Sequence, residues 1–321
     1  GFVQPESRRN EIRRVLEGGL EDISVSRAAL PWGVPWPDDP GQTVYVWLDA
    51  LTNYLSAVGF PDDGYRAYWP CDVHVIGKDI TRFHCIYWPA FLLSAGVELP
   101  RTVWAHGFVT YGGRKLSKSE GVTFELPDAI ARHGPDSLRY YLVREVPWDG
   151  DGDITGERFD ERYTTELANE LGNLASRSLS MVERYRDGVV PEGRPTSLDD
   201  ALGQAVESYR TAMEEGLLHR GVQASRELAV AANGFVEERA PWSQARDPER
   251  ARELDDTLAA LVRALAALSA LLHPVMPSRM ADLATRVGLE TCPTLDELGE
   301  LELAGRRVDK GAPLFPREDL A

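Results

Sequence analysis

Three short runs of β-branched and aromatic residues, TVYVWL (43–48), DVHVIG (72–77) and TVWAHGFV (102–109), are separated by stretches of helical spacing, roughly Asp49 to Val58 and Ile80 to Ala95. Each run has the length and composition of a buried strand. Strands alternating with helices close most economically into a parallel sheet joined by right-handed crossovers. Such a sheet gathers its ligands at the carboxyl ends of its strands. Those ends are Asp49, then Gly77-Lys78-Asp79, then Gly107 with the loop after it.

After about Asp153 the pattern changes. Leu167, Leu171, Leu174, Met181, Val182 and Tyr185 recur at helical spacing, and further helical patterns cover about 199–239 and 249–273. The Gly- and Pro-rich stretch Asp187–Ser197 and the sequence Ala240-Pro241-Trp242 interrupt them. The reading is an α/β parallel-sheet domain over 1–154 and an all-α bundle over 155–321. WDGDGD (148–153) imitates the start of a calcium loop, but Ile154 stands where that loop needs glycine, so the segment reads as a polar linker.

Composition narrows the class. Of 321 residues, 43% are hydrophobic and 27% charged, which suits two globular domains. The longest nearly uncharged run, Ala259–Val275, contains Arg263 and His273 and falls short of the ~20 apolar residues of a membrane span, so no membrane partner is expected. Three cysteines (Cys71, Cys85, Cys292), none in a CxxC pair, argue against a disulfide framework and a thiolate zinc site. The opening GFVQPESRRN shows no basic-then-apolar leader, and a reducing cytoplasmic setting is expected. Cys71, His74, His84 and Cys85 are not expected to bind metal, because adjacent helical residues point about 100° apart.

Chemistry concentrates in YGGRKLSKSEGVTF (111–124). Only four of the 35 basic residues are lysines, and two of them, Lys115 and Lys118, lie within five residues. Glycines at 112 and 113 permit a mobile turn, and Lys115, Ser117, Lys118 and Ser119 offer ammonium and hydroxyl donors suited to a polyphosphate. Such donors, closing on a departing pyrophosphate, stabilise the transition state more than the ground state. The alternative is a solvated surface loop.

KLSKS resembles the KMSKS signature of class I aminoacyl-tRNA synthetases, with Leu116 in place of methionine, and the rest of the chain resembles the methionyl-tRNA synthetase family in particular. VYVWLDALTNY (44–54) and HVIGKDITRFH (74–84) resemble its methionine pocket. The resemblance implies that Trp47, Ala50, Leu51, Tyr54, Ile76 and His84 contact the methionine side chain, with Asp79 where substrate and ribose meet. It also implies ATP contacts from Gly77, Asp79, Lys118 and the backbone of His106, Gly107, Phe108 and Val109, and magnesium on the ATP phosphates. Lys115 and Lys118, with Ser117 and Ser119, would act on the pyrophosphate. On composition alone Trp47 and Tyr54 read as core aromatics, and Asp49 as a helix cap.

LANELGNLASR (167–177) and ERAPW (238–242) resemble the family's anticodon-recognition elements. Asn169, Asn173 and Arg177 stand at i, i+4 and i+8, so one helix face offers groups that can read base edges, and Trp242 can stack on a base. The net charge of −16 weighs against a nucleic-acid partner only until a local basic strip is allowed for. The expected fold is thus a Rossmann-like parallel-sheet part of a catalytic domain followed by an anticodon-binding helical bundle. The expected function is ATP-dependent activation of methionine and its transfer to tRNA(Met), with methionine and ATP as the other partners.

None of the six histidines opens a segment like the family's HIGH signature, and the zinc-binding insertion has no counterpart. The chain therefore reads as a C-terminal portion whose missing N-terminal half is a further expected partner. The rival expectation is a tRNA-binding module that does no chemistry.

Overall fold

The computed structural model describes residues 1–28, 30, 32–116 and 124–317. These fall into two units, Gly1–Phe108 and Val109–Ala321. In the first unit β1 (Val3–Gln4) is followed by α1 (Glu6–Glu17), and then β2 (Ser26–Arg27), β3 (Pro35–Trp36) and β4 (Asp39–Val44) pair as a small antiparallel sheet. After α2 (Val46–Ser56) come β5 (Val73–Gly77), α3 (Trp88–Ala95) and β6 (Thr102–His106). The strands β1, β6 and β5 form a parallel sheet in that order, with Ile76 opposite Ala105 and Gly77 opposite His106.

The pleat sorts side chains by face. His74, Ile76, Val103 and Ala105 are buried, whereas Val73 and Val75 on the opposite face of β5 are 48% and 56% exposed. Ile76 joins Val3, Ile12, Cys85, Ile86, Val103 and Ala105 in one core, and Leu51, Leu55, Tyr65, Trp69, Trp88 and Leu92 form another.

The expected strand at 43–48 is a correction. Pairing stops at Val44, opposite Ser26, and Trp47 already lies in α2. Helical periodicity overrides β-propensity here, because Trp47, Leu51, Tyr54 and Leu55 bury one helix face against Trp69, Trp88 and Leu92. Asp49 consequently sits in the first turn, where its charge suits the helix dipole, and Tyr45 holds the cap position. The helix expected over 80–95 is also broken up: a π turn spans Phe83–Tyr87, with the Trp88 amide bonded to the Phe83 carbonyl. Pro89 has no N–H for the Cys85 carbonyl, which favours this wider winding. Gly96, at φ 67°, stops α3 in the left-handed region.

In the second unit β7 (Val109–Tyr111), β8 (Arg114–Lys115) and β9 (Gly152–Ile154) form a sheet of order β8-β7-β9, with α4 (Leu126–His133) and α5 (Pro135–Glu145) between β8 and β9. The end of WDGDGD is therefore a parallel neighbour of β7 and not a bare linker.

The helical region continues with α6 (Gly156–Arg162), a π-wound segment Tyr163–Gly172, α7 (Asn173–Arg186), α8 (Ser197–Glu214), α9 (Leu218–Arg239), α10 (Pro241–Gln244), α11 (Ala251–Leu272) and α12 (Pro277–Arg286). The pattern expected across 199–239 is cut between Glu214 and Leu218, where Gly216 adopts φ 72°. The apolar run of α11 is the centre of the bundle: every residue from Thr257 to Leu272 except Arg263 is buried. Arg263 leaves it through a two-pronged bond to Asp199, at 2.6 and 2.9 Å. Among the described residues no helix is long and apolar enough to cross a membrane.

Candidate functional site

In the first unit, α2 and the π turn bring together an aromatic cluster. Trp47 stacks on Phe83 with ring centres 3.9 Å apart and 10° between planes, and the His84 ring stands edge-on to Trp47 with centres 6.2 Å apart. His84 Nδ1 is 3.0 Å from the Ile80 carbonyl, which can only accept, so Nδ1 carries the proton. In the neutral ring Nε2 then accepts from the Tyr54 hydroxyl at 2.9 Å. Trp88 Nε1 donates to His74 Nε2 at 3.2 Å, and the His74 ring lies 4.3 Å from that of Tyr54.

Burial sets the protonation states. Desolvation, followed by the proximity of His84, lowers the His74 pKa to about 4. Desolvation also lowers His84, against the bond to Ile80. Tyr54 is raised, by burial and then by Cys71. The cluster is therefore uncharged at neutral pH, an apolar and aromatic surface with a fixed hydroxyl, which suits a thioether side chain.

Of the expected methionine contacts, Trp47, Tyr54 and His84 come together here. Leu51 is fully buried behind them, Ala50 is exposed, and Ile76 packs into the core with Val3 and Val103. Sequence reading missed Phe83, His74 and Trp88 as members of the cluster. The one available signal was the aromatic density of RFHCIYW (82–88). Cys85 lies in the other core, where burial pushes its thiol up to about 12. Among the described residues no group of three His, Cys, Asp or Glu could hold a metal ion.

The carboxyl ends of β5 and β6 lie side by side, Gly77 opposite His106. The exposed Asp79 carboxylate folds back over the strand end, its Oδ1 standing 2.8 Å from where a Cβ on Gly77 would be. Lys78 Nζ lies 4.4 Å from the centre of the Phe108 ring, and His106 Nδ1 lies 2.8 Å from the Gly107 carbonyl. This is the position at which parallel sheets present backbone and side chains to nucleotides.

In the second unit the lysine loop begins on β7 and β8. Gly112 and Gly113 turn the chain at φ 57° and 74°, conformations that favour glycine, and Lys115 and Leu116 are exposed beyond them. Asp153 anchors the turn, accepting from the Gly113 amide and from Thr110 Oγ1, each at 2.7 Å. Ser117, Lys118 and Ser119 lie outside the described residues.

Asn169 sits in the π-wound segment and Asn173 and Arg177 in α7, so the winding differs from the regular i, i+4, i+8 stripe. Asn173 and Arg177 are exposed and Asn169 is half-buried. Asn169 Oδ1 accepts from Arg317, and Arg177 pairs with Glu237 on α9 at 2.5 Å. Trp242, 39% exposed, follows the left-handed Ala240 that ends α9. The π-wound segment is held by Glu166, whose buried carboxylate takes the Tyr140 hydroxyl at 2.7 Å and Arg162 at 2.9 Å, with Arg144 and Arg226 at 3.3 and 3.4 Å.

Residues 2–179, more than half of the chain, match the family model described as tRNA synthetases class I (M). The chain belongs to the methionyl class I tRNA synthetases. Residues 187–304 match the anticodon binding domain of methionyl tRNA ligase. The chain is 40% identical to methionine–tRNA ligases of Halalkalibacterium halodurans and Bacillus subtilis, over 99% and 98% of its own length and 50% of each relative. It thus spans about half the length of the curated relatives it matches. It is also similar to a solved Mycobacterium tuberculosis methionyl-tRNA synthetase bound by methionyl-adenylate, with TM-score 0.90 and 39% identity over 98% of this chain and 64% of that one. As expected for this family, a parallel sheet with helices precedes a helical C-terminal region.

Proposed function

We propose that the chain serves as part of a methionine–tRNA ligase, activating methionine with ATP and transferring it to tRNA(Met). The observation that carries this reading is the uncharged cluster of Trp47, Phe83, Tyr54 and His84, with Tyr54 donating to His84. Trp47, Tyr54 and His84, with Ala50, Leu51, Ile76 and Asp79, would form the methionine site. Gly77, Asp79 and the backbone from His106 to Val109 would hold ATP. Lys115, Ser117, Lys118 and Ser119 would steady the charge on departing pyrophosphate. Magnesium would accompany ATP as part of the substrate, bound mostly by phosphate and water.

Residues 1–154 would be the catalytic portion and 155–321 the tRNA portion, in which Asn169, Asn173, Arg177 and Trp242 meet the anticodon. The setting would be the cytoplasm, with the N-terminal half of such an enzyme as a further partner. Charging of tRNA(Met) with labelled methionine tests the reading. Charging that falls with Trp242→Ala and fails with Lys118→Ala supports it, and charging untouched by either contradicts it.

A second reading, a tRNA-binding module without chemistry of its own, is favoured by Val73 and Val75. A parallel sheet is ordinarily covered on both faces, and these two valines are about half exposed. Under that reading tRNA binding survives and charging does not occur.

A further inference from the structure

A cavity of about 320 Å³ opens in the helical region between the end of α9 and the start of α8, lined by Arg194, Pro195, Thr196, Ser197, Arg239 and Asp256. Its chemistry is unbalanced. Asp256 is 4% exposed, and its carboxylate is already consumed by Arg194, taking the backbone amide at 2.8 Å and the guanidinium at 3.0 and 2.6 Å. Those bonds hold its carboxyl below the usual range despite burial.

Arg239 differs. Its Nε is buried and has no hydrogen-bond acceptor, and among the described residues it pairs with no carboxylate; its guanidinium lies 5.6 Å from the Phe235 ring. A buried donor left without an acceptor is rare in folded proteins and calls for a ligand or another physical reason. The cavity carries one surplus positive charge, the hydroxyl of Ser197, and the polar rim of the Arg194–Asp256 pair, whereas the Thr196 hydroxyl proton is already given to Asp199. It contains no aromatic face for a base and no carboxylate left for a cation.

We propose that this cavity is a phosphate-binding subsite that takes a backbone phosphodiester of tRNA, with Arg239 as its principal donor. A guanidinium matches two phosphate oxygens in a fork, and Arg239 is the lining cation that no carboxylate among the described residues neutralises. The inference rests on the tRNA reading proposed above, and its position fits that reading. Arg239 lies two residues beyond Glu237, the partner of Arg177, and three before Trp242. Two residues are about 200° around a helix, so Arg239 leaves the opposite flank of the α9 end from Glu237. Base-reading groups and a backbone clamp would thus flank one helix end. Contacts to phosphate set register and carry no sequence information.

The test is binding of an anticodon stem-loop RNA to the full chain, wild type beside Arg239→Ala and Arg239→Lys. Each is titrated between about 50 and 200 mM salt, with the methionine anticodon and with an altered one. Arg239→Ala is expected to weaken both RNAs by the same factor, about three- to tenfold, and to lower the slope of log affinity on log salt by about 0.7. Arg239→Lys keeps the charge and should keep most of that slope, which separates a lost contact from a misfolded variant.

Unchanged affinity and slope in Arg239→Ala, with wild type binding, would overturn the subsite. So would a loss confined to the methionine anticodon, which would make Arg239 a base reader. Inorganic phosphate is the other source of the same chemistry: a wild-type melting temperature raised by phosphate at matched ionic strength, beside unaltered RNA binding in Arg239→Ala, would overturn the RNA assignment. Failure of wild type to bind either RNA would overturn the tRNA reading itself and this inference with it.

Discussion

The Asp153 carboxylate holds the glycine turn of the lysine loop, with Oδ1 2.7 Å from the Gly113 amide nitrogen. The same oxygen lies 2.7 Å from Thr110 Oγ1, so one atom ties the turn to its own strand. Asp153→Ala should free the Gly113 amide, raising its hydrogen-exchange rate about tenfold, the value of a net hydrogen bond near 1–1.5 kcal/mol. The bond from Gly113, then that from Thr110, holds the Asp153 carboxyl below the usual carboxylate range. A lowered acid gives stability that is complete above its ordinary value near ~4 and is lost as pH falls through the lowered one. Protection of Gly113 should therefore be flat from neutral pH to about 5 and fall in more acid solution.

Tyr54→Phe removes the hydroxyl that His84 Nε2 accepts from. The loss of one net hydrogen bond predicts about a fivefold rise in the methionine KM with a smaller change in kcat, measured in methionine-dependent turnover. An unchanged KM would remove this bond from the methionine site.

Within the same cluster His74 binds its proton at about 4, below the ordinary histidine value, so the unfolded chain carries more protons between about 4 and 6.5. Stability from this group is complete above about 6.5 and declines as pH falls to about 4. A His74→Gln variant should show a shallower loss of thermal stability across that window than wild type, read from melting curves at matched ionic strength.

How much of this was legible in the sequence depended on where its physics was local. The runs at 72–77 and 102–106 are strands and 249–273 is a buried helix, because alternation and helical period are read within one segment. TVYVWL misled only past Val44: Thr43 and Val44 do end β4, but Trp47 lies on a helix face demanded by Trp69 and Trp88, more than 20 residues away. The aromatic cluster was half legible: Trp47, Tyr54 and His84 stood out, but the stacking of Phe83 depends on a π turn that the spacing does not reveal. Asp153 read as linker, since its partners Thr110 and Gly113 lie 40 residues or more before it. The bond from Arg317 to Asn169 spans still more chain.

Glu166 is the group on which the π-wound segment depends. Its carboxylate is 1% exposed and faces Arg144, Arg162, Arg226 and the Tyr140 hydroxyl. Removing one partner from such a buried network costs about 3–5 kcal/mol, so Glu166→Ala should unfold at much lower denaturant than wild type. Asn169 lies three residues on, and any folded remainder should bind tRNA more weakly.

Asp199 closes the α8 capping box with Thr196 and also receives Arg263 from the central helix. Burial pushes its carboxyl up, but the bonds from Arg263 and Thr196 outweigh that and leave it lowered. Asp199→Ala removes a cap and strands Arg263 on α11, predicting a loss of about 2–3 kcal/mol in urea unfolding. An effect within ~0.5 kcal/mol would mean that solvent takes over both roles.

Methionine-dependent exchange of labelled pyrophosphate into ATP tests the central claim most directly, with wild type and Lys118→Ala measured side by side. The account predicts exchange that requires methionine and disappears in the variant. Folded protein that shows no exchange, or exchange that needs no methionine, would contradict it.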